Sequence, residues 1–218
     1  MMINQKKNIC ILCSRIDAHG GVVQNIIKEH NLFNLMGIFD DNPELIGRCI
    51  DGVPVLGSIK DLPNNIPNSI DGFFISTGDN YVREKCYNIL NVNNLNLVNV
   101  IHPSSLISKN VKLGIGIFVG QNVVINNSSC IGDCAIINTS ASIDHDNLIG
   151  KFVNVSPGCH TSGRVIIQSN VFLGTGSIII PDRIIGEHSI VGAGSIVISD
   201  IRPNCKVVGN PARVIKNL

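Results

Sequence analysis

Apolar residues recur at every sixth position through the C-terminal half of this chain. They run without insertion from Ile101 to Val197, and every anchor position is aliphatic except Thr161. Side chains repeat every 3.6 residues in a helix and every second residue in a strand, so neither explains a period of six. A hexapeptide repeat indicates a parallel β-helix, in which each short segment needs one inward anchor and a tight corner. The anchors are Ile101, Ile107, Leu113, Val119, Ile125, Ile131, Ile137, Ile143, Ile149, Val155, Thr161, Ile167, Leu173, Ile179, Ile185, Val191 and Val197.

The residues before the repeats follow a different pattern. Their apolar runs and helical stripes alternate and are bounded by turn-forming clusters. This order predicts a small Rossmann-like parallel α/β domain over residues 1–100, followed by the β-helix over residues 101–218. The predicted elements are a strand at 7–13, a helix at 20–32, strands at 35–39, 52–57 and 70–75, a helix bearing Val82, Cys86, Ile89 and Leu90 on one face, and a strand at 97–101.

Three polar or glycine-bearing loops follow strands of the predicted sheet: residues 15–21, Asp40-Asp41 and residues 77–80. Ligands of such sheets bind beyond the carboxyl ends of the strands. Carboxylates there often accept hydrogen bonds from ribose or base donors, and the helix that begins near Gly20 offers N–H groups to a phosphate. Ordinary turn chemistry explains the same residues equally well. The dinucleotide fingerprint G-x-G-x-x-G is absent, which argues against a nicotinamide enzyme.

Composition excludes several classes of partner and site. The formal net charge is +1, aromatic residues make up 4% and tryptophan is absent, so neither nucleic acid nor a membrane surface is expected to bind. The first apolar stretch is too short for a signal peptide, and we expect a cytoplasmic protein with its eight cysteines reduced. Cys10 and Cys13 form a CxxC inside an apolar strand, where core packing is more plausible than a metal site. No metal is therefore expected.

One histidine in the repeats has the surroundings of a general base. His145 lies between Asp144 and Asp146, and a carboxylate on one ring nitrogen would orient the imidazole and make it more basic. In a flat strand the ring would point away from both neighbours, so the pairing requires a corner. The alternative is a surface histidine on a polar turn.

The aliphatic ladder is interrupted at Thr161, close to Gly163. The glycine could present its N–H to a developing oxyanion, or it could mark a bulge. Three hexapeptides, about one full coil, separate Gly163 from His145, so the two should stack on the same side. Residues 208–213, which close the repeats, could be only a terminal cap.

Taken together, these segments resemble the sialic-acid O-acetyltransferase and nucleotide-amino-sugar N-acetyltransferase family of left-handed β-helix hexapeptide acyltransferases. The resemblance covers almost the whole chain. Its coil motifs are Asn138-Thr139-Ser140, His145-Asp146, Ser156-Pro157-Gly158 and Gly209-Asn210-Pro211-Ala212-Arg213, and its N-terminal motifs are His19-Gly20, Phe39-Asp40-Asp41 and Gly78-Asp79-Asn80.

The resemblance implies a homotrimer that binds acetyl-CoA between neighbouring coils and a nucleotide-linked sugar in the N-terminal domain. By position, it implies His145 as general base, Asp146 as its carboxylate partner and the Gly163 backbone as oxyanion donor. The other implied contacts are Asn154, Thr175 and Ala193 for acetyl-CoA, and His19, Asp40, Asp41 and Gly78 for the nucleotide. Where the family usually has a glycine-rich turn before the histidine, this chain has residues 15–18, whose Arg15 could meet a diphosphate by charge instead.

The expected reaction is acetyl transfer from acetyl-CoA to the amine of a nucleotide-linked amino-deoxy sugar, at its 4-amino position, in a direct ternary complex. Three alternatives stay open at this point. The first is O-acetylation of a sialic acid or related sugar, which needs the same base. The second is acetylation of a small amino acid such as serine, which would leave the α/β domain unused. The third is a non-catalytic trimeric binding scaffold, which would have no need of the paired base and carboxylate. A nucleotide- or NAD-binding oxidoreductase that uses the α/β domain alone is disfavoured, because it would leave the larger half of the chain without a role.

Overall fold

The computed structural model describes residues 6–13, 19–64, 66–67 and 69–218. The chain divides into two compact units, Met1–Val100 and Ile101–Leu218. In the described residues, neither helix has the length and apolar character needed to cross a membrane.

The N-terminal unit is built on a five-stranded sheet in the order β3-β4-β2-β1-β5. Strands β1, β2, β4 and β5 are parallel, as the sequence predicts, whereas β3 pairs antiparallel with β4 at one edge. That two-residue edge strand is too short to leave a periodic signal. The elements are β1 (Asn8–Leu12), α1 (His19–Glu29), β2 (Asn34–Phe39), β3 (Cys49–Ile50), β4 (Val53–Gly57), a 3₁₀ helix (Ile59–Asn64), β5 (Gly72–Ile75) and α2 (Asn80–Val92).

Each helix buries part of the apolar stripe that its sequence suggests. Helix α1 buries Val23, Ile26 and Ile27, and α2 buries Cys86 and Leu90. Val22, which the sequence assigns to the first stripe, is 41% exposed. The predicted strand at residues 97–101 is shorter than expected: Leu97 makes a single parallel bridge to Phe73, and the next strand begins at Val100.

The parallel register brings the loops that follow β2 and β5 to one edge of this sheet. Leu12 is paired with both Phe39 and Ile75, the last residues of β2 and β5. The residues that follow these strands, which include Asp40, Asp41 and Gly78, therefore lie at the same carboxyl edge.

The C-terminal unit is a left-handed β-helix with three flat faces, as the hexapeptide period predicts. Face 1 contains β6 (Val100–Ile101), β9 (Phe118–Val119), β12 (Ile136–Ile137), β15 (Asn154–Val155), β18 (Phe172–Leu173), β21 (Ile190–Val191), β23 (Cys205–Val208) and the antiparallel β24 (Arg213–Asn217). Face 2 contains β7 (Leu106–Ile107), β10 (Val124–Ile125), β13 (Ser142–Ile143), β16 (His160–Thr161), β19 (Ile178–Ile179) and β22 (Ile196–Val197). Face 3 contains β8 (Lys112–Leu113), β11 (Cys130–Ile131), β14 (Leu148–Ile149), β17 (Ile166–Ile167) and β20 (Ile184–Ile185).

The hexapeptide anchors form the core of this coil. Each is the second residue of a two-residue strand and stacks on the anchor of the next turn, as Ile125, Ile143 and Thr161 do on face 2. Residues 18 positions apart are therefore neighbours along the coil axis. The three corners between the faces are named edge 1–2, edge 2–3 and edge 3–1, in the direction of the chain.

Thr161 is the one polar member of the anchor columns. Its side chain is 3% exposed, and its hydroxyl oxygen has no hydrogen-bond partner in the described structure. A buried hydroxyl without a partner lowers stability because it loses its hydration.

We expect Thr161→Val to stabilise the protein by about 1 kcal/mol, because valine has nearly the same shape and no group to desolvate. Urea unfolding followed by circular dichroism measures the change. Thr161→Ser is the matched control: it keeps the hydroxyl, loses a buried methyl group and should be less stable than the parent. A valine variant with no gain would show that the hydroxyl is satisfied.

Candidate functional site

The His145 side chain lies at edge 2–3, two residues after the end of strand β13. Its Nδ1 is 2.7 Å from Asp146 Oδ2, and the ring is 46% exposed. Asp146 has a φ of +59°, and this left-handed corner lets two consecutive side chains converge. Because the carboxylate accepts a hydrogen bond, the neutral ring holds its proton on Nδ1 and keeps Nε2 as a proton acceptor. This is the arrangement that a general base requires.

The second carboxylate beside His145, that of Asp144, bonds the backbone and not the ring. Asp144 Oδ1 accepts hydrogen bonds from the His145 backbone N–H at 2.8 Å and from Asn126 Nδ2 at 3.0 Å. These two donors, the backbone N–H first, lower the pKa of Asp144. Asp144 thus fixes the backbone of the corner, and Asp146 holds the ring.

Gly163 lies one turn further along the coil, against the imidazole. A Cβ atom on this residue would lie 2.5 Å from both Cε1 and Nε2 of His145, so the ring occupies space that only glycine leaves open. The carbonyl of His145 accepts the N–H of Arg164 at 3.0 Å, which fixes the spacing of the two turns. The Gly163 N–H donates to no acceptor in the described part of the chain.

Above this corner lies an ion pair that sequence reasoning missed. Arg164 donates to both carboxylate oxygens of Asp182, from Nε at 2.6 Å and Nη2 at 3.0 Å. This pairing raises the pKa of Arg164 and lowers the pKa of Asp182. Arg164 stands one turn from Asp146 but pairs with Asp182. The Asp146 carboxylate is paired with the His145 ring instead. The sequence did contain a signal for this pair. Asp146, Arg164 and Asp182 are spaced 18 residues apart, and residues with this spacing are neighbours along the coil axis.

The three residues assigned to acetyl-CoA lie elsewhere on the coil. Thr175 and Ala193 are exposed on edge 1–2, one turn apart, and Gly194 N–H donates to the Thr175 carbonyl at 2.8 Å. Asn154 is buried on face 1. Because His145 and Gly163 occupy edge 2–3, a single chain does not bring the acetyl-CoA residues and the candidate base together.

Edge 1–2 offers an open track for an extended ligand. Gly158, Gly176 and Gly194 are stacked along it in the left-handed region, and a Cβ at any of them would meet no atom within 4 Å. Such a row of accessible backbone can lie against the arm of a coenzyme without steric conflict.

The four residues assigned to the nucleotide converge in the N-terminal unit. His19, Asp40, Asp41 and Gly78 line one cavity of about 390 Å³ at the carboxyl edge of the sheet. Asp40 Oδ1 accepts the Asn42 N–H at 2.9 Å and Asp41 Oδ1 accepts the Ile59 N–H at 3.0 Å. The second oxygen of each carboxylate has no hydrogen bond in the described residues. Residues 15–18, including Arg15, lie outside the described residues.

His19, the first residue of α1, is neutral in this cavity. Burial foremost, and then the positive charge of Arg83, lower its pKa to about 4. The fully buried Arg83 donates to the Thr77 carbonyl at 3.1 Å and to Asn80 Oδ1 at 2.9 Å, which fixes the loop that carries Gly78. Sequence reasoning missed this role because a charged residue on a helix ordinarily faces solvent.

Further lining residues were also missed. Tyr81, Lys85 and Ile89 follow a helical spacing of four on α2 and form one wall of the cavity. Cys13 lies there too, with its sulfur 3.6 Å from that of Cys86, whereas Cys10 is a buried core residue whose pKa is raised to about 12 by burial. In the described residues, no group of three or more His, Cys, Asp or Glu is arranged to hold a metal ion.

Comparisons with known proteins match both units. Residues 18–90 match the family model described as the PglD N-terminal domain. The chain is 28% identical over 177 residues to a GDP-perosamine N-acetyltransferase of Escherichia coli O157:H7, and the match covers 79% of each protein.

Solved structures extend this likeness to the whole chain. The crystal structure of PerB from Caulobacter crescentus in complex with CoA and GDP-perosamine is 34% identical, with a TM-score of 0.89 over 96% of this chain and 97% of that one. The acetyltransferase domain of PglB from Neisseria gonorrhoeae FA1090 in complex with acetyl coenzyme A is 27% identical, with a TM-score of 0.87 over 96% of this chain and 100% of that one.

We expect Gly163→Ala to displace the imidazole of His145 without unfolding the coil. The new Cβ would collide with the end of a side chain, and the Gly163 backbone is outside the left-handed region, so alanine adopts it without strain. A crystal structure of the variant should show the ring moved off Gly163, with a thermal midpoint close to that of the parent. An unmoved ring would contradict this packing.

Proposed function

We propose that His145 is the general base of this chain, which belongs to the nucleotide-amino-sugar N-acetyltransferase family of left-handed β-helix acyltransferases. The chain transfers an acetyl group from acetyl-CoA to a nucleotide-linked amino sugar. The observation that carries the proposal is the 2.7 Å contact between His145 Nδ1 and Asp146 Oδ2. It leaves Nε2 free to accept a proton on the side of the ring that faces Gly163.

Each residue of the corner has one task in the reaction. His145 Nε2 takes a proton from the acceptor amine as its nitrogen attacks the acetyl carbonyl, and Asp146 stabilises the imidazolium that results. The Gly163 N–H donates to the carbonyl oxygen as negative charge develops on it. Acetyl-CoA supplies the acetyl thioester; the new bond is C–N and the bond that breaks is C–S. CoA leaves as the thiol once its sulfur takes up the proton from the imidazolium, which restores the neutral ring. The base acts on the amine directly, so no acyl-enzyme is needed.

The acceptor we propose is a GDP-linked 4-amino sugar, with GDP-perosamine as the first compound to test. Two relatives that match this chain over both units support this choice. One is a GDP-perosamine N-acetyltransferase, and the other was solved in complex with GDP-perosamine. Asp40 and Asp41 favour guanine as the base, because their carboxylates can accept hydrogen bonds from its neighbouring N–H donors. Uracil presents only a single N–H. The helix α1 starts at His19 beside the same cavity, and its N-terminal N–H groups suit the diphosphate.

The proposed assembly is a homotrimer. His145 lies on edge 2–3, and the acetyl-CoA residues Thr175 and Ala193 lie on edge 1–2, so the complete site needs edges from two chains. A cyclic arrangement of three triangular coils supplies this contact three times. We place the enzyme in the cytoplasm, where the eight free thiols stay reduced.

A pair of histidines tests the catalytic assignment. With GDP-perosamine and saturating acetyl-CoA, His145→Gln should lower kcat by about 10²–10⁴-fold, the usual contribution of a general base. His160→Gln is the matched control, because His160 is also exposed and bonds Ser142 Oγ at 2.7 Å rather than a carboxylate. It should keep kcat within about twofold. Near-parent turnover by His145→Gln would refute the proposal.

Nucleotide preference is tested by binding. GDP should raise the thermal midpoint more than UDP does, because binding to the folded state stabilises it by mass action. Asp40→Asn and Asp41→Asn should each weaken GDP binding by about tenfold, since a hydrogen bond to a charged group is lost. Asp51→Asn, at an exposed carboxylate paired with Lys28 outside the cavity, is the control. Equal shifts with GDP and UDP would argue against guanine recognition.

A further inference from the structure

Two buried polar residues lie beneath the corner that carries His145. Ser129 and Asn147 are 0% exposed, and neither touches the proposed acetyl-CoA track or the nucleotide cavity. We propose that this pair positions His145 over Gly163 and is needed for turnover rather than for substrate binding. The inference rests on the proposed role of His145 as base.

Asn147 ties two turns of the coil together through one amide group. Its Nδ2 donates to the carbonyls of Asp144 at 2.7 Å and His145 at 3.1 Å, on its own turn. The same nitrogen lies 2.9 Å from the Ser162 carbonyl, on the next turn and directly before Gly163, so its two N–H groups are shared among three acceptors. One side chain therefore sets the backbone positions of both the base and the proposed oxyanion donor.

Ser129 adds the preceding turn to this network. Its Oγ donates to the Asp144 carbonyl at 2.8 Å and accepts the Asn147 backbone N–H at 3.1 Å. The Asp144 carbonyl thus receives two donors, while the Asp144 carboxylate holds the His145 N–H from the other side. The backbone of the corner is fixed from inside and outside the coil.

The coil itself does not need these polar groups. At the equivalent position one turn after Asn147 stands Val165, which is fully buried, and one turn before Ser129 stands Val111. Asn147 Oδ1 is moreover buried without a hydrogen-bond partner in the described structure, which costs stability. Valine would fill the space without this penalty. We therefore attribute the polar pair to its role in orienting the His145 corner over Gly163.

The consequence for catalysis is a loss of alignment. Without the carbonyl tethers, the corner can rotate and carry the ring away from its place over Gly163. Misplacement by about 1 Å can cost about a hundredfold in rate. Because neither residue reaches a ligand, KM for both substrates should stay the same while kcat falls.

The test uses the full-length protein and GDP-perosamine. Ser129→Ala and Asn147→Val should each lower kcat by about ten- to a hundredfold, with KM for acetyl-CoA and for the sugar within twofold of the parent, measured at a temperature where circular dichroism shows each variant folded. Ser189→Ala is the matched control. Ser189 is also 0% exposed, and its Oγ donates to the Arg202 carbonyl at 2.9 Å and accepts the Cys205 N–H at 3.2 Å, away from His145. This control should keep kcat within twofold.

Combining Ser129→Ala with His145→Gln separates positioning from a structural role, because Ser129 bonds the Asp144 carbonyl and the Asn147 N–H, whereas Asn147 also bonds the Ser162 carbonyl beside Gly163. A residue that acts only through His145 has no further effect once the imidazole is gone, so Ser129→Ala should leave the residual kcat of His145→Gln unchanged. Two results overturn the inference: an equal loss of kcat from Ser129→Ala in both backgrounds, or parent-like kcat for both Ser129→Ala and Asn147→Val while His145→Gln is impaired. If His145→Gln itself keeps full turnover, the proposed function fails first.

Discussion

The stacking of one aliphatic anchor per hexapeptide is the constraint on which the C-terminal unit depends. Each anchor side chain fills the narrow interior, and its position on one turn dictates the position of the anchor 18 residues later. Burial of these side chains is the main source of stability. Because the anchors hold a fixed register, every outward residue is also placed above its partner one turn earlier. The reactive side chains on the surface are therefore spaced by the same 18 residues.

The corner at His145 shows how a rigid coil produces a reactive geometry. A left-handed residue, Asp146, turns two consecutive side chains to the same side and brings a carboxylate to the ring. The register then sets Gly163 under that ring, where its missing side chain leaves space for the imidazole. Ser129 and Asn147 hold the backbone from inside, and on the next turn Arg164 is paired with Asp182. Pre-organisation of this kind suits a base that must meet its substrate without rearrangement.

The N-terminal unit follows a different logic, since its cavity lies where parallel strands end. Register alone brings Asp40, Asp41 and Gly78 to one edge, and α1 adds His19 from its first turn. The buried Arg83 then fixes the loop at Thr77 by hydrogen bonds to neutral acceptors. Its charge also helps to keep His19 neutral, so the cavity holds carboxylates, a neutral imidazole and a helix N-terminus within one space.

The amino-acid sequence by itself determined the three-sided coil, the parallel α/β unit and the stacking of His145 on Gly163, because the periods of six and eighteen residues are written in the chain. It also indicated the three loops that carry the four cavity residues, since strand ends are visible as changes of polarity, and the family resemblance implied the individual residues. The tertiary structure alone decided that Asp144 accepts the backbone N–H of His145, that Asn154 lies on face 1 away from edge 2–3, and that Ser129 and Asn147 converge beneath the corner. Periodicity fixes where a residue stands along the coil. The direction of its side chain depends on backbone dihedrals at the corners and on partners from neighbouring turns, which no local pattern encodes.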